Sequence, residues 1–144
     1  MQAHSHFLFV YGSLLSGFKS PAYEYVSRYF ELKGRATVKG TIYDMGTFPV
    51  GTSNDTGRII KGELYEIRNP KELSFVLAQL DDYEGLYPDE GEEVYYRREL
   101  VNATLESGDV ISAWVYWYDK EVEGKPVIDS DNMIDYRQQN QDYF

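Results

Sequence analysis

The chain of 144 residues has no cysteine, and its two histidines are His4 and His6. Without cysteine there is no disulfide framework, no thiol nucleophile and no cysteine-based metal site. A His-x-His pair this close to a chain end, with no third histidine, is typical of a poorly ordered terminus, so we expect no metal site and no cofactor. A Ser-His-Asp mechanism is disfavoured because Ser13 and Ser16 have no other histidine to serve as a base.

Positive charge and long apolar segments are also scarce. Lysine and arginine total 14 against 24 aspartates and glutamates, a net charge of −10, which argues against a nucleic-acid or anionic-membrane surface because both need a basic patch. The apolar run Phe7–Val10 is too short for a signal-peptide core, and no segment approaches a membrane-spanning length. We therefore expect a cytoplasmic protein.

The length and the hydrophobic content of 42% predict one domain over residues 1–144, large enough to bury a core that holds a pocket. Period-two and period-3.6 patterns predict a mixed domain dominated by strands. The predicted strands are Phe7–Val10, Val38–Asp44, Arg58–Ile67, Tyr95–Val101 and Val110–Tyr118, and the predicted helices are Pro21–Phe30 and Pro70–Glu84. Ser107–Asp109 predicts a hairpin turn, and the polar segment Gly51–Gly57 predicts a loop.

The second predicted helix carries the clearest chemical signal. Asn69 is a good N-cap, and Pro70 suits the first helical position. At about 100° per residue, one face holds Leu73, Val76, Leu77 and Leu80. Glu84 falls on that apolar side, Asp82 falls on the opposite side, and Gly85 is typical of the position just past a helix end.

A carboxyl group at the rim of an apolar face is partly desolvated. Burial and the negative end of the helix dipole both disfavour the charged form of Glu84, so its pKa is expected to rise toward the range useful for proton transfer near neutral pH. A helix-terminal glutamate that reaches water or pairs with an arginine is the alternative interpretation.

A second signal lies where the strand Phe7–Val10 runs into a glycine-containing loop, Tyr11–Gly17. Gly12 allows a close approach of the backbone to a ligand, and successive amides in such a turn can bind an anion. The loop lacks the lysine of a P-loop and the third glycine of a dinucleotide-binding motif, so phosphate is a poor candidate for its ligand.

Two positions on the later strands stay open at this level. Tyr116 shares a strand face with Trp114, and its hydroxyl could line a pocket or simply pack in the sheet. Arg97 and Arg98 alternate faces, so one of them points inward; we favour Arg98 as the structural partner of the sheet.

Six short motifs follow one another in a particular order and spacing. They are Val10–Leu14, Ile42–Pro49, Gly62–Tyr65, Leu80–Gly85, Tyr95–Arg98 and Ala113–Tyr116. Together they resemble the gamma-glutamylcyclotransferase-like superfamily, most closely its gamma-glutamylamine cyclotransferase branch. The resemblance covers a core of about residues 7–118, whereas the tail 119–144 carries no motif that can be placed.

The resemblance implies an α+β fold, a small mixed and largely antiparallel barrel-like sheet with a few helices outside and a pocket at one mouth. It also implies that Glu84 is the catalytic acid/base and that the loop residues Tyr11, Gly12, Ser13 and Leu14 hold the glutamyl group. The substrate would be a small gamma-glutamyl amine or amide, converted to 5-oxoproline and a free amine without a cofactor.

Two other functions fit the same residues. A non-catalytic domain of this fold could bind an amine ligand through Glu84. A hydrolase of small amides could use Glu84 to activate water.

Overall fold

The computed structural model describes residues 5–11, 21–45, 49–53, 57–86 and 90–128. Eight strands and two helices follow one another along these residues. They are β1 (Phe7–Val10), α1 (Pro21–Tyr29), β2 (Phe30–Lys39), β3 (Thr41–Asp44), β4 (Pro49–Thr52), β5 (Ile59–Ile67), α2 (Leu73–Tyr83), β6 (Tyr96–Leu105), β7 (Val110–Tyr118) and β8 (Val127–Ile128).

Five of the strands close into a barrel in the order β1-β5-β2-β6-β7. Four of the pairings are antiparallel, and the barrel closes through the parallel pairing of β1 with β7, where Leu8 lies opposite Trp114. Closure leaves these strands without a free edge, which protects the sheet from pairing with other chains. The predicted α+β fold, a small and largely antiparallel barrel-like sheet with helices, is confirmed.

The remaining strands form a smaller sheet in the order β4-β3-β8. The chain enters it at Gly40, where an added Cβ would come within 2.7 Å of the Thr52 carbonyl oxygen and 2.9 Å of the Ile60 side chain. Only glycine fits such a crossing. The predicted single strand Val38–Asp44 is therefore divided between β2 and β3, which was not visible from hydrophobic alternation alone.

Other boundaries also differ from the sequence-based prediction. Gly51 and Thr52, predicted as loop, form the end of β4, because they pair with Ile42 and Thr41 of β3. Residues 30–37 of β2 and the short strand β8 were not predicted as strands. Their partners are distant in sequence: β2 pairs with β5 in the barrel, and β8 pairs with β3 in the smaller sheet. The hairpin turn at Ser107–Asp109 is confirmed between the antiparallel strands β6 and β7.

Helix α2 presents its apolar face to the barrel. A 3₁₀ turn at Pro70–Glu72 precedes it, and the Asn69 side chain accepts a hydrogen bond from the Lys71 amide, as expected for an N-cap. The face predicted from the sequence is buried and joins the main core cluster; its residues are Leu73, Val76, Leu77 and Leu80. Burial of this stripe brings the C-terminal end of α2 against the barrel wall.

Candidate active site

The C-terminal end of α2 is closed by a Schellman motif. Gly85 has a φ of +81°, its amide donates to the Asp82 carbonyl, and the Leu86 amide donates to the Asp81 carbonyl. Glu84 is the C-cap residue, one position before this glycine. The left-handed turn requires glycine and turns the chain away, so Glu84 stays at the rim of the helix–barrel contact, as the sequence predicts.

The Glu84 carboxyl group is partly buried, and its pKa is raised to about 7 from an ordinary value of 4.5. Burial is the main cause, and the negative charge of Asp81 is the second. Both effects disfavour the carboxylate, and no cation among the described residues opposes them. Within the described residues, none makes an ion pair with Glu84, so the alternative of an arginine-paired glutamate finds no support there.

Three tyrosines lie close enough to Glu84 to be affected by its charge. Burial is the main cause that raises the pKa of Tyr11, just after β1, and of Tyr96 on β6, and the charge of Glu84 is the second. The pKa of Tyr116 on β7 is raised by burial, then by its hydrogen bond to Asp81 and the charge of Asp81, and last by Glu84. All three hydroxyl groups therefore stay protonated at neutral pH and can donate hydrogen bonds. A carboxyl group that titrates near neutral pH among neutral phenols is suited to exchanging one proton with a bound ligand.

The Tyr11 ring lies 6.0 Å from the Trp117 ring and 6.3 Å from the Phe9 ring. Its hydroxyl donates to the backbone carbonyl of Tyr116. A Cβ at Gly51 would overlap the Tyr11 ring and hydroxyl, so β4 approaches this side chain closely only because residue 51 is glycine. Tyr11 is thereby held between β7 and β4.

The carboxylate of Asp81, one turn before Glu84, accepts three side-chain hydrogen bonds. Its Oδ1 accepts from Arg98 Nε at 2.7 Å and from the Tyr116 hydroxyl at 2.7 Å, and its Oδ2 accepts from the second guanidinium nitrogen of Arg98 at 3.0 Å. Asp81 is only 3% exposed. The Arg98 guanidinium also lies 4.3 Å from the centre of the Trp114 ring, a cation–π contact.

The two arginines left open by the sequence are now distinguished. Arg98 is the more buried, with 21% of its side chain exposed, and it connects the sheet to α2. Arg97 lies on the other strand face and pairs with Glu99 and Asp119 near the surface. The sequence left open which arginine points inward; in the structure it is Arg98, and its partner carboxylate, Asp81, lies on helix α2 rather than in the sheet.

Only some of the predicted site residues are among the residues that the structure describes. The structure brings Glu84, Tyr11 and Tyr116 together, whereas the loop residues Gly12, Ser13 and Leu14 lie outside the described residues. The hydroxyl of Tyr116 donates to Asp81, so this donor is engaged within the protein. The assignment of these positions to substrate binding stays a prediction.

Asp81, Tyr96 and Gly51 were missed as site residues by the sequence analysis. A signal existed for Asp81, since it lies four residues after Leu77 and therefore on the apolar face, whereas its neighbour Asp82 is exposed as predicted. Tyr96 lies in the motif Tyr95–Arg98, but the motif gives it no role, and nothing in the sequence distinguishes Gly51 from the other glycines.

A surface cavity of about 580 Å³ is lined by other residues, and neither Glu84 nor Tyr11, Tyr116 or Asp81 is among them. Its lining includes Thr52, which follows Gly51, and Tyr118, whose ring lies 5.5 Å from the Tyr96 ring. In the part of the chain that the structure describes, no group of three His, Asp or Glu side chains is arranged to hold a metal ion.

Comparison with known proteins identifies the family and agrees with this fold. The profile of the family described as gamma-glutamyl cyclotransferase, AIG2-like matches residues 8–137, which extends past Tyr118 into the tail. A Methanocaldococcus jannaschii protein that carries the provisional name gamma-glutamylcyclotransferase is 33% identical over 131 residues, 91% of this chain and 98% of the relative.

Solved structures show the same fold. An AIG2-like protein from Mus musculus has a TM-score of 0.59 at 23% identity, with 88% of this chain and 87% of that chain covered. YkqA from Bacillus subtilis has a TM-score of 0.64 at 20% identity, and the match covers 94% of this chain but 43% of YkqA. The chain belongs to the gamma-glutamyl cyclotransferase, AIG2-like family, and it is a gamma-glutamylcyclotransferase-like enzyme.

Among the described residues, no helix is long and apolar enough to cross a membrane.

Proposed function

We propose that this protein converts gamma-glutamyl amines or related gamma-glutamyl amides to 5-oxoproline and a free amine, with Glu84 as the general acid/base. The observation that carries this proposal is the Glu84 carboxyl group, which has a pKa of about 7 at the rim of the barrel and no cation partner among the described residues. A structural glutamate at a helix end would ordinarily be ionised and solvated or paired.

The substrate supplies its own nucleophile in this reaction. The α-amine attacks the γ-carbonyl carbon, a C–N bond closes the five-membered lactam, and the C–N bond to the leaving amine breaks. Because ring closure is intramolecular, the enzyme mainly has to hold the glutamyl chain folded with the reacting atoms about 3 to 3.5 Å apart. No enzyme nucleophile is required, in agreement with a chain that has no cysteine.

One proton has to move during the cycle. The Glu84 carboxylate takes it from the attacking amine, and the resulting carboxylic acid delivers it to the leaving nitrogen, so the enzyme returns to its starting state. A pKa near 7 suits both halves of this transfer at neutral pH.

Two sets of residues bind the glutamyl part of the substrate in this proposal. The backbone amides of Gly12, Ser13 and Leu14 bind the substrate α-carboxylate, the role that the family motif implies for them. Tyr11 and Tyr116 form the wall on which the glutamyl chain rests, since Tyr11 is held in place by the carbonyl of Tyr116 and by β4.

Mass-spectrometric product analysis tests the proposal. The purified chain is incubated with gamma-glutamyl peptides, the gamma-glutamyl-lysine isopeptide and simple gamma-glutamyl amines, and the Glu84→Gln variant serves as control. Release of 5-oxoproline by the wild type, and not by the variant, is expected. Free glutamate in place of 5-oxoproline would identify a hydrolase, and binding without turnover of any of these substrates would indicate a binding domain.

A further inference from the structure

The proton-transfer scheme leaves one buried charged group unused. Asp81 lies one helical turn before Glu84, on the face of α2 that packs against the barrel. It receives three hydrogen bonds from two side chains on two neighbouring strands, Arg98 on β6 and Tyr116 on β7. A bidentate arginine–carboxylate pair has a defined geometry, so this group fixes the helix end relative to both strands.

We propose that Asp81 is a positioning residue of the Glu84 site, which fixes the last turn of α2 to the barrel through Arg98 and Tyr116 and holds a negative charge beside the Glu84 carboxyl. This role deepens the proposed function, because it matters for the reaction only if Glu84 transfers the proton.

The hydrogen bonds of Asp81 attach the last turn of α2 to the barrel. Helix ends fray unless tertiary contacts hold them, and the last turn of α2 precedes a glycine with positive φ. Asp81 contributes twice to this turn, since its side chain binds Arg98 and Tyr116 while its backbone carbonyl accepts from the Leu86 amide. Glu84 lies within the turn that the backbone bond closes, and the side-chain bonds of Asp81 attach this turn to the barrel.

The negative charge of Asp81 also acts on the Glu84 carboxyl. The titratable groups that interact electrostatically with Glu84 are Asp81 and Tyr83 of α2, Tyr11 just after β1, Tyr96 of β6 and Tyr116 of β7. Asp81 is the one group among them whose charge raises the Glu84 pKa. Arg98 compensates the charge of Asp81 and allows it to be buried, since an unpaired carboxylate there would be strongly disfavoured.

The test follows the Glu84 carboxyl directly, without substrate. The chain is labelled with ¹³C-carboxyl glutamate, and the Glu84 resonance, assigned by its absence in Glu84→Gln, is titrated in the wild type, Asp81→Asn and Asp82→Asn. Asp81→Asn keeps the shape of the side chain but removes its charge, so Glu84 should titrate at lower pH than in the wild type. Asp82→Asn removes the adjacent, exposed charge and should leave the titration unchanged.

The anchoring part has its own readout. Tyr116→Phe keeps the charge of Asp81 and removes one of its hydrogen bonds, so the Glu84 titration should stay while the Leu86 amide exchanges its hydrogen faster. If Asp81→Asn does not fold, the double variant Asp81→Asn/Arg98→Gln removes both charges of the pair together and should again lower the pH at which Glu84 titrates.

Two results would overturn the inference: a Glu84 titration that Asp81→Asn moves no further than Asp82→Asn does, or Leu86 exchange that is unchanged in Tyr116→Phe. Absence of 5-oxoproline release by the wild type would instead refute the proposed function, and the titration and exchange would still test the role of Asp81.

Discussion

Asp81 and Glu84 lie one turn apart at the end of helix α2, and among the described residues only Asp81 has an arginine partner. The paired carboxylate is buried at 3% exposure, whereas the Glu84 carboxyl at the rim has its pKa raised to about 7. Two acidic residues with different environments can take different roles, one structural and one in proton transfer.

Glu84→Gln should lower turnover by roughly 10²–10⁴-fold, the range typical of general acid/base catalysis, while binding of 5-oxoproline persists. The variant should melt at the same temperature as the wild type or slightly higher, because a neutral amide is easier to keep at an apolar rim. Product release and melting temperature are measured on one preparation. A variant that melts well below the wild type yet cyclises substrate at a nearly normal rate would refute the catalytic assignment.

The activity should depend on the protonation of Glu84. Because the carboxylate form takes the proton from the attacking amine, kcat/KM should rise with pH and level off above a pKa of about 7. Initial rates are measured at limiting and at saturating substrate concentrations, at pH values below and above this pKa. A profile whose acid limb lies near 4.5, the ordinary value for glutamate, would mean that Glu84 does not control the reaction.

The free energy of unfolding should also depend on the protonation of Glu84, but it should fall with rising pH where activity rises. The folded chain holds the Glu84 proton up to about pH 7, whereas an ordinary glutamate loses it near 4.5, so the folded state binds more protons between these values. The contribution of Glu84 to the free energy of unfolding is therefore present at low pH and lost as pH rises through about 7. Urea unfolding of wild type and Glu84→Gln below and above this window should show the difference growing in favour of the variant at high pH. A difference independent of pH would contradict the raised pKa.

Gly51→Ala should displace Tyr11, because the added Cβ would overlap its ring. We expect a destabilisation of about 1–3 kcal/mol, typical of overpacking, together with a loss of turnover. The matched control is the same substitution in a Tyr11→Leu background, where the smaller side chain leaves room and the added cost should shrink. Equal costs in both backgrounds would show that Tyr11 is not the group that requires glycine at this position.

Activity should survive dialysis against a chelator. The reaction needs no Lewis acid if the substrate amine is the nucleophile and Glu84 moves the proton, and the sequence has no cysteine and only the terminal histidines His4 and His6. Turnover before and after dialysis is compared, followed by addition of zinc or magnesium. Loss of turnover that either metal restores would require a metal-assisted mechanism.

The sequence alone was sufficient to predict helix α2 and the position of Glu84 at its end. Capping by Asn69, the apolar period and the stop at Gly85 are local signals, and each acts within one or two turns of the chain. The strands β1, β5 and β7 were predicted closely for the same reason, since alternation is read within one segment.

The tertiary structure decided everything that joins distant segments. Closure of the barrel brings Tyr11, Tyr96 and Tyr116 around Glu84, and it gives Asp81 its partners on β6 and β7. These contacts depend on strand order and register, which hydrophobic patterns do not encode, because a pattern shows which face of a strand is buried but not which strand lies beside it. The division of the chain at Gly40 and the close approach of Gly51 to Tyr11 have the same origin, since only the packed neighbour shows that a side chain has no room.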